Sequence, residues 1–262
     1  MLEAHTYGVA EFGDTGECLD KSDTHKVHTK TADRFADHFD DLIAAGDWDD
    51  VDRRDNSSCR GGYWSDPSKD ATGDDSHAGY GADEADVVFI HTHGGHVANT
   101  NSSISMGSDA DECSVETDAD MFFDDDLDIA IIKACQSGDY GVWSNGGYRQ
   151  QITDSTSSLR VWNAFHGDSD CGSFVKGYVE DYAEESDYNG VGENWIDEAY
   201  DDSSSANNDD CPTSIVMGDN AADREHMYEY GGWLDIEDTG DKTGSTIWYI
   251  SGCDPDSGTV LP

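Results

Sequence analysis

Basic residues are scarce in this chain. Its 262 residues carry 14 Lys and Arg against 58 Asp and Glu, a formal net charge of −44. Contact with nucleic-acid phosphates or an anionic membrane surface needs clustered Lys and Arg, so neither is expected as a partner. No apolar run approaches the roughly 18 residues of a membrane span. The opening Met1-Leu2-Glu3 has no charged stretch leading into an apolar core, so no signal peptide is expected. No two cysteines stand in CxxC spacing, which argues against a structural zinc site. EF-hand spacing is missing as well.

What is abundant is acid, mostly Asp, spread along the whole chain rather than gathered in a tail. Hydrophobic residues make up 35%, with seven Trp and twelve Tyr, enough to build a core and too many for a disordered segment. The charge is the signature of a halophilic surface that holds water and cations in concentrated salt. Removing salt unscreens the self-repulsion, so the melting temperature is expected to climb with KCl; a salt-independent value would contradict this. Seven cysteines, with Cys135 set aside as a free thiol, leave Cys18, Cys59, Cys113, Cys171, Cys211 and Cys253 for three disulfides. That favours an extracellular or cell-surface location, or otherwise the cytoplasm of a high-salt organism.

Along the chain, residues 5–12 (HTYGVAEF) read as a first strand. Residues 31–45 place Phe35, Phe39, Leu42 and Ile43 at helical spacing before Gly46, a good helix end. Residues 50–82, rich in Asp, Gly and Ser, read as a surface excursion anchored locally by Tyr63 and Trp64. Residues 99–111 read as a Ser/Asn/Gly loop, 118–126 as an acidic segment and 139–154 as a further loop. Residues 159–165 (LRVWNAF) form a strand, 172–179 open a helix, and 194–200 form a short helix. Residues 201–210 are a solvated surface link, and 213–217 and 246–250 are late strands. No domain boundary is evident, so the chain reads as a single domain over 1–262.

Two apolar runs organise the rest. Val87-Val88-Phe89-Ile90 leads into His91-Thr92-His93-Gly94-Gly95-His96, and Ile129-Ala130-Ile131-Ile132-Lys133-Ala134 leads into Cys135-Gln136-Ser137-Gly138. Continuous β-branched runs of this length read as strands buried on both faces. Chemistry in open α/β sheets gathers at the carboxyl ends of such strands. If the two are parallel neighbours, His93 and Cys135 face one crevice, where the imidazole serves a thiol nucleophile. A glycine after the His lets its N–H approach a substrate carbonyl, so Gly94 and Cys135 are the expected oxyanion donors.

These two blocks, VVFIHTHGG and IAIIKACQSG, resemble the strand–His–Gly and strand–Ala–Cys blocks of the caspase-like cysteine peptidases (clan CD: caspases, metacaspases, legumains, gingipains). The strand 159–165 and the helix opening at 172 are similar to the elements that follow the Cys in metacaspase-like proteins. The likeness covers residues 80–185. It implies a three-layer α/β sandwich with a mostly parallel central sheet. It also implies a helix between the two catalytic strands, although this sequence is a poor helix former there. The implied activity is endopeptidase cleavage of a protein or peptide through an acyl-enzyme, with Cys135 as nucleophile and His93 as its acid/base. In that family the loop after the Cys helps build the pocket for the residue before the cut, and here that loop carries Arg149; His166 and Asp168, at the end of the third strand, are the other candidate pocket residues. Asp168 and Asp170 would favour a basic side chain.

Two other readings stand beside it. His91-x-His93-x-x-His96 has the spacing of the metallo-β-lactamase-like zinc motif, with His166, Gly218-Asp219 and His226 available downstream. Gly95 stands where that motif has Asp, which leaves a three-histidine site for one zinc. A caspase-like scaffold that binds partners without cutting them is the third. No cofactor is required by the thiol mechanism. Asp124-Asp125-Asp126 and Asp201-Asp202 are candidate Ca2+ ligands.

Overall fold

The computed structural model describes residues 2–10, 26–97, 101–107, 113–146, 156–170, 175–201, 210–235, 242–253 and 260–262. Its elements run β1 (Glu3–Gly8), α1 (Lys26–Ala45), β2 (Asp50–Asp55), β3 (Val87–His91), β4 (Gly94–Val97), β5 (Asn101–Ser105) and β6 (Ser114–Glu116). Then come β7 (Ile129–Lys133), α2 (Tyr140–Asn145), β8 (Val161–Phe165), α3 (Val175–Glu185), α4 (Val191–Asp201), β9 (Pro212–Gly218), α5 (Ala221–Tyr230) and β10 (Gly244–Tyr249).

The β-branched runs form the middle of a seven-stranded sheet ordered β10-β9-β8-β7-β3-β1-β2. The four pairings from β2 to β8 are parallel, and β9 and β10 are antiparallel to their neighbours. Alternate residues of each strand serve two cores, as a period of two requires. Val87, Phe89, Ile129, Ile131 and Val161 meet the helix layer, where Phe35 and Phe39 of α1, Tyr178 and Tyr182 of α3, and Trp195 of α4 pack. Val88, Ile90, Ala130, Ile132 and Trp162 meet the opposite core with Trp64, Ile104, Val115, Phe123 and Val142. Each such side chain contributes about 1.5–3 kcal/mol by leaving water. The result is a three-layer α/β sandwich, as expected. Helix α1 ends at Gly46, whose φ of 88° turns its N–H back onto Leu42 and Ile43 carbonyls.

The layer opposite the helices departs from the sequence reading. Residues 50–82 are not a surface excursion. They begin as the edge strand β2 and then cover one face of the sheet, with Trp64 fully buried and packed edge-on against Tyr7. Segment 99–111 contains β5 rather than only loop, and β4-β5-β6 form a separate three-stranded antiparallel sheet. This sheet stands, among the described residues, where a helix was implied between β3 and β7. Loop 139–154 opens with α2, capped by the Asp139 carboxylate on Val142 N–H. Residues 202–209 of the expected 201–210 surface link lie outside the described residues.

The cysteine expectation also needs correction. Cys59 is not in a disulfide; it is fully buried, with its thiol donating to the Arg54 carbonyl. Cys211 and Cys253 are joined, and Cys113 is disulfide-bonded too. The Cys211–Cys253 bond closes a loop of 42 residues and clips the chain end, through Leu261, onto the start of β9. Loop closure of that length stabilises by about 4 kcal/mol.

Acid is also buried under the 56–84 segment. Asp75 and Asp83 are almost wholly buried. Burial and the charges of Asp83, Asp66 and Asp124 push the Asp75 carboxyl from 3.8 up to about 8. Burial lifts Asp83 to about 7, although the N–H groups of Asp125, Asp124 and Leu127 pull it back. Folded carboxyls that hold protons to higher pH than unfolded ones make stability fall as pH rises from about 4 to about 8, then level off. Asp75→Asn removes its share of that slope. Its advantage over the parent is expected to grow by roughly 2 kcal/mol between pH 5 and pH 8, half the unscreened value. Urea denaturation in high salt at both pH values measures this, and an unchanging difference would contradict it.

Candidate active site

The register of β3 against β7 brings the two motifs together. Each β3 residue faces the β7 residue 42 positions on, Val87 with Ile129 and His91 with Lys133. His93 and Cys135 carry the same offset, two residues past the last ladder pair. The ladder runs on loosely through the Thr92 N–H to the Lys133 carbonyl at 3.1 Å. Gly94 then lies directly on the Cys135 backbone, where a Cβ would sit 2.3 Å from the Cys135 carbonyl oxygen and 3.2 Å from its nitrogen. Here glycine is required by contact, not by conformation.

Gly94 also opens β4, opposite Ile104. The Ser105 N–H bonds the His93 carbonyl at 2.9 Å, which makes Gly94–Ile104 a pair of the kind without mutual hydrogen bonds. The ladder therefore leaves the Gly94 N–H unused, pointing away from β5. His93 itself is half-buried, and its backbone is gripped on both sides. Its ring meets the edge of His28, from the first turn of α1, at 5.4 Å between centroids.

Cys135 begins a tightly specified turn. Gln136 holds a left-handed φ of 58°, donates its N–H to the Gly167 carbonyl and accepts the His96 N–H on its side-chain oxygen. The Ser137 hydroxyl lies within bonding distance of the Ile132 and Ala134 carbonyls. Gly138 has no room for a Cβ beside Thr213 and Ala164. The half-buried Cys135 sulfur accepts the Ser169 N–H at 3.3 Å. Burial pushes the thiol above its ordinary pKa; the Ser169 N–H and Lys133 charge lower it, while Asp168 and Asp210 raise it.

Other expected residues are distributed differently. His91 is fully buried, its ring tilted 34° against that of His28 with centroids 4.1 Å apart. His96 turns toward Asp139, its Nε2 3.6 Å from the carboxylate. His166 is buried, its Nδ1 3.1 Å from the same carboxylate and 3.0 Å from the Tyr140 nitrogen. It therefore supports the turn after Cys135. Burial works to raise the Asp139 pKa, but the His166 and Val142 hydrogen bonds and the two imidazole charges outweigh it and hold it low. Asp168 is near enough for its charge to act on the thiol. Arg149 lies outside the described residues. The nitrogens of His91, His93 and His96 do not gather. Among the described residues, one set of three metal-binding side chains converges, and it is elsewhere: Glu3, His5 and Glu84. Asp124, Asp125 and Asp126 are exposed, Asp201 is exposed, and Asp202 is outside the described residues.

Lys133, His28 and Asp139 were missed as parts of this site. Lys133 is fully buried and its ammonium bonds the Ser169 hydroxyl and, at 2.7 Å, the Asp170 carbonyl. It also lies 4.6 Å over the Phe165 ring. It thus pins the 168–170 segment whose N–H holds the sulfur. A lone Lys inside IAIIKAC, in a chain with 14 basic residues, was the available signal. No protein-family model matches the chain, and no curated protein matches it.

Proposed function

We propose that this chain is a cysteine endopeptidase of caspase-like type. The observation that carries the reading is the shared register of His93-Gly94 and Cys135 across parallel strands, with Gly94 seated on the Cys135 backbone. The Cys135 sulfur attacks the scissile carbonyl carbon, and its proton passes to His93. The resulting oxyanion is held by the N–H groups of Gly94 and Cys135. His93 then protonates the leaving amine as the C–N bond breaks, leaving the acyl group on sulfur. Water, deprotonated by His93, hydrolyses that thioester and restores the thiol. Negative charge from Asp168 and Asp210 beside the sulfur favours a basic side chain in the substrate. No third residue need orient the imidazole, though His28 packs against it.

A second reading, a caspase-like scaffold that binds without cutting, is favoured by one observation: burial keeps the thiol protonated to higher pH than a free cysteine. Iodoacetamide separates the two. In the peptidase, one equivalent modifies Cys135, labelling accelerates at higher pH than for a free cysteine, and cleavage of a peptide library is lost in parallel. A parent enzyme that cuts no peptide in molar KCl, yet binds a partner equally well as Cys135→Ala, would establish the scaffold.

A further inference from the structure

The carboxyl edge of the sheet is not the only place where reactive side chains meet. At the opposite edge, about 20 Å away along the strands, Glu3 and His5 project from the same face of β1. Glu84 reaches them from the turn at residues 82–84, and one ligand atom of each lies within 4.8 Å of the others. The histidine is nearly fully buried, whereas both glutamates are half-buried, so one side stays open to solvent.

The imidazole is set for a task at its outer nitrogen. Its Nδ1 lies 2.9 Å from the Gly81 carbonyl oxygen, which can only accept, so Nδ1 carries the hydrogen. Nε2 is then directed at Glu84 Oε2, 3.5 Å away. That separation is long for a hydrogen bond. It matches the roughly 3.4 Å edge between two ligands of a tetrahedral ion with bonds of 2.0–2.2 Å. The glutamate is oriented in turn, because its Oε2 accepts the Gly79 N–H at 2.8 Å. A histidine steered by a carbonyl and a carboxylate steered by an amide are the outer contacts that protein metal ligands use. In this tautomer the Nε2 lone pair faces the Glu84 carboxylate, an arrangement that a bound cation relieves, be it a metal ion or a proton. Among the described residues no Lys or Arg pairs with Glu3 or Glu84, and the ion pair Glu84 makes is with His5.

We infer that Glu3, His5 and Glu84 form a binding site for a first-row divalent cation of the Zn2+ kind, completed by water. The ion fastens the start of β1 to the 79–84 segment, which Tyr7 already holds through its hydroxyl on the Tyr80 carbonyl. The site is separate from the thiol chemistry and independent of it.

The test uses the full chain as Cys135→Ser, which removes the reactive thiol as a competing ligand, in molar KCl with excess Mg2+ to occupy the acidic surface. Equilibrium dialysis with Zn2+ is expected to give one site per chain of micromolar affinity or better, with a rise in melting temperature. Glu3→Gln and Glu84→Gln, both half-buried and nearly isosteric, should each weaken it at least tenfold, and Co2+ should show the intense visible absorption of a four-coordinate site. No stoichiometric site, or equal affinity in both variants, overturns the inference. So does an 15N spectrum showing His5 Nε2 still protonated at pH 8 with Zn2+ present, which would mean an imidazolium ion pair.

Discussion

His93→Gln is expected to lower kcat/KM by about 10³-fold, close to 4 kcal/mol of transition-state stabilisation, while leaving the melting temperature within a few degrees. The side chain is half-buried and its backbone is fixed independently of the ring, by the Ser105 N–H on its carbonyl and by Thr92 on Lys133. Glutamine therefore preserves the fold and removes only the proposed proton carrier. Cys135 should still react with iodoacetamide in this variant, more slowly near neutral pH, because the thiol has lost its base. The neighbouring histidines serve as controls with different signatures. His91→Gln disturbs a fully buried ring packed against His28 and should lower stability first. His96→Gln touches only the half-exposed pairing with Asp139 and should change kcat/KM less than tenfold. A His93→Gln enzyme within tenfold of the parent, or a larger loss in His96→Gln, would remove His93 from the mechanism.

The sequence displayed the middle of the fold and not its rim, for physical reasons. VVFIH, IAIIK and VWNAF are buried on both faces, so each position is apolar or specially paired, and the runs announce themselves. The edge strand DVDRRD pairs on one side only, and its membership rests on backbone bonds to β1 that leave no trace in composition. GGHV, NSSIS and SVE are made of small and polar residues because their sheet contributes little more than Ile104 and Val115 to the core. Trp64 read as only the local anchor of a surface excursion because apolar periodicity is missing around it, yet the surrounding Gly, Ser and Asp fold down by local turns and carry it into the core.

At the site, the offset of 42 shared by His93 and Cys135 was readable, since parallel strands of equal length keep register. The roles of Lys133, Asp139 and His28 were not. Each acts through a partner distant in sequence: Lys133 through Ser169, Asp139 through His166, His28 through His91 and His93. Burial of a charged residue with a remote partner is invisible until the chain is folded. Cys59 shows the converse error, where an even count invited pairing and the core kept a free thiol.

Gly94→Ala is expected to be nearly as damaging as loss of the histidine, for a reason that chemistry alone does not supply. The added methyl would sit 2.3 Å from the Cys135 carbonyl oxygen and 2.9 Å from the Ala134 Cβ. Both obstacles belong to short, buried chain segments, so neither can swing aside as a flexible side chain would. Relief requires the tips of β3 and β7 to separate by about 1 Å, a displacement that typically costs 10²-fold in rate at a site built on alignment. Overpacking of this kind also destabilises by about 1–3 kcal/mol. The conformation at 94 is not left-handed, so the loss comes from contact rather than from backbone strain. Gly95 supplies the internal control. A Cβ there would meet nothing closer than the Gln136 side-chain oxygen at 3.8 Å, and Gly95→Ala should keep activity within about threefold of the parent. Steady-state kinetics on both variants, with urea denaturation alongside, decides the matter. If Gly94→Ala cleaves peptide at the parental rate, or the two alanines are equally harmful, the backbone of Cys135 is not pressed against this glycine, and the proposed pairing of thiol and imidazole loses its support.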